Sequence, residues 1–314
     1  MKNFKPIIII EGEPKSIFFE IFFKSLNLTK IKSPIILICC EKRIFKAMKL
    51  AKFSYHINKI KFEEIQTKLK KDCINLINIK SGNSGTKTKK YIEECFNLAL
   101  KILKNKITDK FINGPISKKK FFNGKHIGVT EYLAKKTNSK NFSMLIYNKS
   151  LSVCPITTHL PLKLVQKKLS KKIIFNKIIL IHNFYKKILK KRPLIAVTGL
   201  NPHCESFDKN NEEKNIIIPT IKLLFNKGVK ISGPYPGDTI FLKNNRKKFD
   251  VIVGMYHDQV LSPIKTLFEY DAINITLGLP FIRISPDHGP NDKMIGKNLS
   301  NPLSLIRSLQ FLDF

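Results

Sequence analysis

The sequence has no tryptophan, and its 57 basic residues include only five arginines. Acidic residues are also scarce, 23 against those 57, which leaves a formal net charge of +34. A surplus of that size raises the possibility of nucleic-acid binding, since cationic surface attracts phosphate backbones. Arginine is the preferred reader of phosphates and bases, however, and it is almost absent. The lysines are spread along the whole chain in pairs and triplets, so no segment stands out as a basic arm. This pattern reads as a drift in residue usage, and no specific nucleic-acid partner is expected.

Long apolar runs are missing as well. The four isoleucines of "KPIIIIEG" are too few to cross a bilayer or to form a signal-peptide core. The expectation is a soluble, cytoplasmic chain with no membrane partner. None of the six cysteines is spaced as CxxC, which points to reduced core thiols rather than a metal knuckle or redox pair. No GxGxxG occurs, and "SGNSGTKTKK" lacks the GxxxxGK[ST] spacing, so neither common nucleotide loop is present.

The apolar fraction, 43%, is enough to fill a core. Short apolar runs such as "SPIILICC", "RPLIAVTGL" and "DVIVGMY" read as strands. Between them, "TKKYIEECFNLALKILKNK" and "KKIIFNKIILIHNFYKKILKK" carry apolar residues at three- and four-residue spacing, as amphipathic helices do. Strands alternating with helices predict a two-lobed α/β/α fold with a mostly parallel sheet. Ligands in such folds gather beyond the carboxyl ends of the strands. The search for a site therefore concentrates on polar residues that directly follow a strand.

Three histidines meet that condition. His159 follows "CPITT", His203 follows "LIAVTGLNP", and His257 follows "VIVGMY". Three neutral imidazoles with an open position suit Zn²⁺ or a similar divalent ion such as Co²⁺, Mn²⁺ or Mg²⁺. Each histidine taken alone reads more readily as a polar loop residue or a satisfied core histidine, and only the three together favour a site. Downstream of His257 come Lys265, Asn274 and Arg283, the last two embedded in "AINITLGLPFIRIS". A guanidinium held against a core segment calls for a phosphate or carboxylate partner. Lys265 and Asp238, in "PGDTIF", are the candidate catalytic residues. Asp238 and Asp258 are also candidate acceptors that orient the imidazoles.

The blocks "GEP", "INGPISK", "GVTEYLA", "TTHLPL", "GLNPH", "PYPGDTIF", "MYHDQ", "NITLGLPFIRIS" and "DHG" occur in the order found in the 4-hydroxythreonine-4-phosphate dehydrogenase (PdxA) family. The chain resembles that family from Gly12 to Leu309. The resemblance implies NAD-dependent oxidation and decarboxylation of 4-phosphooxy-L-threonine to 3-amino-2-oxopropyl phosphate, a step of pyridoxal phosphate biosynthesis. It also implies a homodimer with a shared active site and one divalent metal held at positions matching His159, His203 and His257. Family substrate contacts match Thr130, Lys265, Asn274 and Arg283.

The fold implied is that of isocitrate and isopropylmalate dehydrogenases. Its first lobe is expected over roughly residues 1–125 and 273–314, and its second, with the dimer contacts, over roughly 126–272. The segment "DHGPNDKMIGKNLSNPL" is similar to the adenosine-binding loop of those enzymes, which makes His288, Gly289 and Asn301 candidates for NAD contacts. The chain departs from the family at Val129, where a polar residue is usual, and at Ser16 and Phe18, where glycines are usual. Dehydrogenases of threonate or erythronate phosphate share the three-histidine pattern and are the alternative. A basic nucleic-acid-binding protein is the alternative from another class, and steep salt dependence without metal dependence would distinguish it.

Overall fold

The computed structural model describes residues 4–80, 85–117, 121, 128–205 and 211–314. In chain order the strands are β1 (Ile7–Ile10), β2 (Ile35–Cys39), β3 (Ile57–Lys59), β4 (Ile74–Asn78), β5 (Lys110–Asn113), β6 (Ser143–Tyr147), β7 (Ser152–Pro155), β8 (Ile195–Thr198), β9 (Ile231–Tyr235), β10 (Val251–Gly254), β11 (Ile273–Leu277) and β12 (Ile282–Pro286). The chain divides into two compact units. One comprises Met1–Tyr132, Tyr270–Ile273 and Pro280–Phe314, the other Leu133–Glu269 and Asn274–Leu279.

In the first unit the strand order is β3-β4-β2-β1-β5-β12, and every pair in it is parallel. Strand β1 is all isoleucine and wholly buried, as expected for a parallel strand covered on both faces. It pairs in register with β2 (Ile7 opposite Ile35) and β5 (Ile7 opposite Lys110). Lys110 is itself 1% exposed, and its Nζ donates to the Phe314 carbonyl at 2.6 Å. The helix Phe18–Leu28 buries Phe18, Phe22 and Phe23, with Phe18 stacked on Phe22 at 5.5 Å. Neither Ser16 nor Phe18 has a positive φ, so the glycines usual there are replaced without backbone strain.

In the second unit the order is β11-β6-β7-β10-β8-β9. Strands β7, β10, β8 and β9 run parallel, and β6 joins β7 antiparallel. The helix Lys171–Lys187 starts at Ser170, whose hydroxyl accepts the Ile173 N–H, and buries Ile174, Ile178, Ile181 and Tyr185. That spacing is the apolar stripe read from sequence. Cys39, Cys40, Cys95 and Cys154 are buried free thiols. No helix among the described residues is long and apolar enough to cross a membrane.

Candidate active site

In the second unit, adjacent strands β7, β10 and β8 each lead into one of the three candidate histidines. His257 is the first residue of the helix His257–Phe268, which follows the central strand β10. His159 follows β7 with a φ of 50°, and His203 follows β8 in a short turn with a φ of 54°. Neighbouring strands lie about 5 Å apart, so side chains leaving adjacent strand ends can meet. The His159 and His257 rings do, with centroids 5.6 Å apart. His203, on the far side of β10, does not join them. Among the described residues no three His, Cys, Asp or Glu side chains are close enough together to hold a metal ion.

Asp258 orients His257: its Oδ1 lies 2.6 Å from His257 Nδ1. A carboxylate at Nδ1 places the ring proton there and leaves Nε2 as the lone-pair donor, the tautomer a metal requires. Asp238 plays no such part. It is exposed in the turn after β9, makes no hydrogen bond to an imidazole, and acts electrostatically on the Cys204 thiol.

Two residues that sequence reasoning passed over hold the strand ends in place. Gln259 Oε1 accepts from Thr198 Oγ1 at 2.9 Å and from the Met255 N–H at 2.7 Å, while its Nε2 donates to the Gly199 carbonyl at 2.7 Å. It thus ties the end of β8 to the end of β10. Glu213 is 1% exposed and sits in a π-helical turn, a geometry that recurs at functional sites. Its Oε1 accepts the Leu200 and Asn201 N–H groups at 2.8 and 2.9 Å, and its Oε2 accepts from the Asn201 amide at 2.9 Å. The loop leading to His203 is therefore held chiefly by this carboxylate, with Glu212 Oε2 accepting from the Asn201 amide as well at 3.0 Å. Gln259 was visible in "MYHDQ" as a polar residue two positions past a proposed ligand. Glu213, in "EKNIII", gave no signal in the sequence. Residues 206–210, which follow His203 in the sequence, and His126 lie outside the described residues.

Lys265 lies two turns along the helix from His257, half-buried, and burial pulls its pKa below the ordinary lysine value. Asn274 is on β11, where its Oδ1 is buried and receives no hydrogen bond.

The first unit holds the remaining anion-binding candidates. Arg283, on β12, is 2% exposed. Its Nε donates to Asn113 Oδ1 at 2.7 Å, and Nη1 reaches Thr130 Oγ1 at 3.5 Å. Burial lowers its pKa to about 9, outweighing the opposite pull of Glu131. A guanidinium nevertheless keeps its proton in proteins, so this much desolvation favours an anionic ligand. Asn113 comes from "INGPISK" and orients the guanidinium. The loop after β1 packs on the same turn: Gly12 has a φ of +80°, and a Cβ there would lie 2.5 Å from the Pro115 carbonyl oxygen. Beneath that loop Glu11, fully buried, takes hydrogen bonds from Arg43 Nε at 2.6 Å and from the Tyr91 hydroxyl at 2.5 Å. Burial raises the Glu11 pKa despite the guanidinium.

Of the cofactor candidates, His288 is half-buried and stacks on Tyr270 with centroids 5.7 Å apart. Gly289 is exposed. Asn301 Oδ1 accepts the Leu303 N–H at 2.9 Å, a local turn just ahead of the helix Leu303–Leu312.

A mostly parallel α/β architecture with polar side chains gathered past its strand ends belongs to the class of small-molecule-binding α/β enzymes. Comparison with known proteins is more specific. The chain belongs to the family described as pyridoxal phosphate biosynthetic protein PdxA, whose model matches residues 30–312. It is 39% identical over 311 residues to 4-hydroxythreonine-4-phosphate dehydrogenase of Sulfurihydrogenibium sp., covering 97% of this chain and 96% of that one. A D-threonate 4-phosphate dehydrogenase of Pectobacterium atrosepticum is 37% identical over 199 residues, 62% of this chain and 61% of that one. The crystal structure of 4-hydroxythreonine-4-phosphate dehydrogenase from Klebsiella pneumoniae superposes with a TM-score of 0.84 at 28% identity, covering 98% of this chain and 97% of that one. The names shared by these relatives are those of dehydrogenases.

Proposed function

We propose that the chain oxidises 4-phosphooxy-L-threonine with NAD⁺ and releases CO₂, leaving 3-amino-2-oxopropyl phosphate for pyridoxal phosphate biosynthesis. The observation that carries this reading is the meeting of the His159 and His257 rings past adjacent strand ends, with Asp258 fixing the donor tautomer of one. Two imidazoles so placed fit a divalent cation in donor type. His203 stands apart from the pair, so a three-imidazole centre requires either a move of its loop or a second copy of the chain, and we read the protein as a homodimer. A bound divalent ion supplies positive charge that acidifies a hydroxyl and steadies the electrons left when CO₂ departs.

The chain's own residues bind and align. Arg283, oriented by Asn113 and backed by Thr130, binds an anionic group of the substrate. Lys265 offers a second, partly desolvated cation, which strengthens its grip on phosphate. Asn274 offers an amide whose buried oxygen takes an N–H or O–H of the ligand. His288 and Gly289 are the cofactor contacts in this reading, with Asn301 in the turn ahead of the adjoining helix. Fixing the reacting carbon against the nicotinamide is the protein's main contribution.

NADH formation from 4-phosphooxy-L-threonine, abolished by a chelator and restored by metal, is the expected result. Turnover that ignores the chelator refutes the metal role. The second reading, a threonate phosphate dehydrogenase, draws on Val129, which removes a polar group beside Thr130. Side-by-side turnover of the two substrates decides between them.

A further inference from the structure

We propose that the first unit carries a further small-molecule site, which binds a planar aromatic ring bearing a phosphate monoester and an N–H or O–H donor. A cavity of about 660 Å³ lies wholly within that unit. Side chains of the helices Phe18–Leu28 and Glu41–Ala51 line it, together with the segment around Gly296. Its volume is that of an ordinary ligand pocket. Neither His288 nor Gly289, the cofactor contacts of the reading above, lines it, and no step of the proposed reaction uses it.

Three features of the lining define the occupant. The first is an apolar wall with an aromatic base. Phe19 and Phe23, one turn apart on the first helix, stack with centroids 5.9 Å apart, and Phe23 meets Phe53 at 5.3 Å. Leu50 and Ile295, 74% and 46% exposed, lie on the same cavity and lose contact with water when a flat ring enters. The second is a one-sided charge. Lys24 Nζ is paired with Glu20 Oε1 at 3.0 Å, and Arg43 Nε with Glu11 at 2.6 Å. Lys15, Lys46 and Lys52 are exposed and form no ion pair among the described residues. Three such cations repel one another. A phosphate monoester, with nearly two negative charges at neutral pH, relieves that more fully than one carboxylate does. The third is an unmet acceptor. Glu20 Oε1 also takes the Ser300 N–H at 2.7 Å, while Oε2 is buried and receives no hydrogen bond. Such an atom in a native fold calls for an explanation, and an amine or hydroxyl on the ring supplies the donor. A hydrocarbon answers only the first feature and inorganic phosphate only the second. A nucleotide answers all three, and so does a phosphorylated pyridine of the kind made by the biosynthesis that the family description names.

Calorimetric titration of the full chain with adenosine 5′-monophosphate and with pyridoxine 5′-phosphate, each with and without saturating NAD⁺, is the test. At least one should bind at a single site per chain, and the one that binds identifies the source. Its counterpart without phosphate, adenosine or pyridoxine, should bind about tenfold more weakly or worse, because charge-assisted contacts are lost. The double change Lys46→Glu and Lys52→Glu should weaken binding by a similar factor. The same charge reversal at Lys222 and Lys227, in the other unit, should alter it by less than about twofold, since exposed charges outside the site are screened. Binding should persist when NAD⁺ is present. Failure of both phosphates to bind overturns the proposal, as does equal binding of the compounds without phosphate. Equal losses in the two double variants, or no loss in either, leave only the general attraction of a chain of net charge +34 for anions and overturn the site. Displacement by NAD⁺ overturns it as well, since the cavity then belongs to the cofactor. Should the Lys46 and Lys52 variant not fold, Ala47→Trp, which fills the cavity from the helix Glu41–Ala51, replaces it, and unaltered affinity is the overturning result. None of these outcomes depends on which substrate the enzyme oxidises.

Discussion

Replacing Gln259 by leucine removes, with little change of volume, the link between the strands that lead to His203 and His257. Three hydrogen bonds are lost, to Thr198 Oγ1, the Met255 N–H and the Gly199 carbonyl. Thr198 and Met255 are fully buried, so water cannot replace the lost partner. At about 1 kcal/mol for each bond, with more where a buried group is left unpaired, the cost comes to about 2–4 kcal/mol. A domain of this size loses about 2–4 °C of melting temperature per kcal/mol, so circular dichroism should record a fall of about 5–15 °C. Groups that orient ligands are worth about tenfold to a hundredfold in metal affinity. A cobalt(II) titration followed by visible absorbance should weaken to that extent. If melting falls as expected while cobalt affinity stays within about twofold of wild type, Gln259 is a fold residue only. Gln259→Glu keeps the acceptor but sets a carboxylate against the Gly199 carbonyl, and should lie between leucine and wild type.

Other consequences are as direct. Arg283→Lys keeps a charge but cannot reproduce the fork that reaches Asn113 and Thr130 together, and should raise the substrate KM by about tenfold or more; an unchanged KM removes Arg283 from the binding site. Lys265 has a pKa lowered by burial, so its charge and its grip on phosphate are full at low pH and are lost, as pH rises, sooner than for an ordinary lysine. The same shift makes stability rise with pH through that window, since the unfolded chain then binds the extra proton. Lys265→Arg should hold the KM level on the alkaline side, and an identical alkaline limb in both proteins counts against Lys265. Gly12→Ala forces a Cβ to 2.5 Å from the Pro115 carbonyl at a φ of +80°. It should cost about 2–4 kcal/mol of stability, read by urea unfolding.

Strands were legible where they are central and apolar on both faces. The run Ile7–Ile10 could hardly be anything else, and β2, β8 and β10 follow the same rule. Strand β3, at the edge of its sheet, offers only "INK", and β9, also an edge, carries Gly233 and Pro234 inside it. Strand β12 was hidden by Arg283, whose charge breaks its apolar pattern. The helix His257–Phe268 carries Pro263 within it, which reads from sequence as a stop. At the candidate site, an imidazole after a strand was a visible signal because strand ends are where side chains escape the core. The contacts that set geometry were not visible. Glu213 reaches back from 12 residues away to Asn201, Asn113 reaches Arg283 across 170, and neither spacing leaves a mark on local sequence.

His159 and His203 both ride on backbone twisted to the left-handed side, whereas His257 opens an ordinary helix. Asn, Asp and His are enriched in that conformation, while β-branched residues are outliers there. A change from imidazole to aspartate at either position would keep the turn and exchange a nitrogen donor for an oxygen, the kind that harder ions such as Mg²⁺ and Mn²⁺ favour. Two of the three proposed ligand positions are thus open to a descendant that adopts a new metal, and valine, isoleucine and threonine are disfavoured at them by chain geometry before selection on chemistry begins.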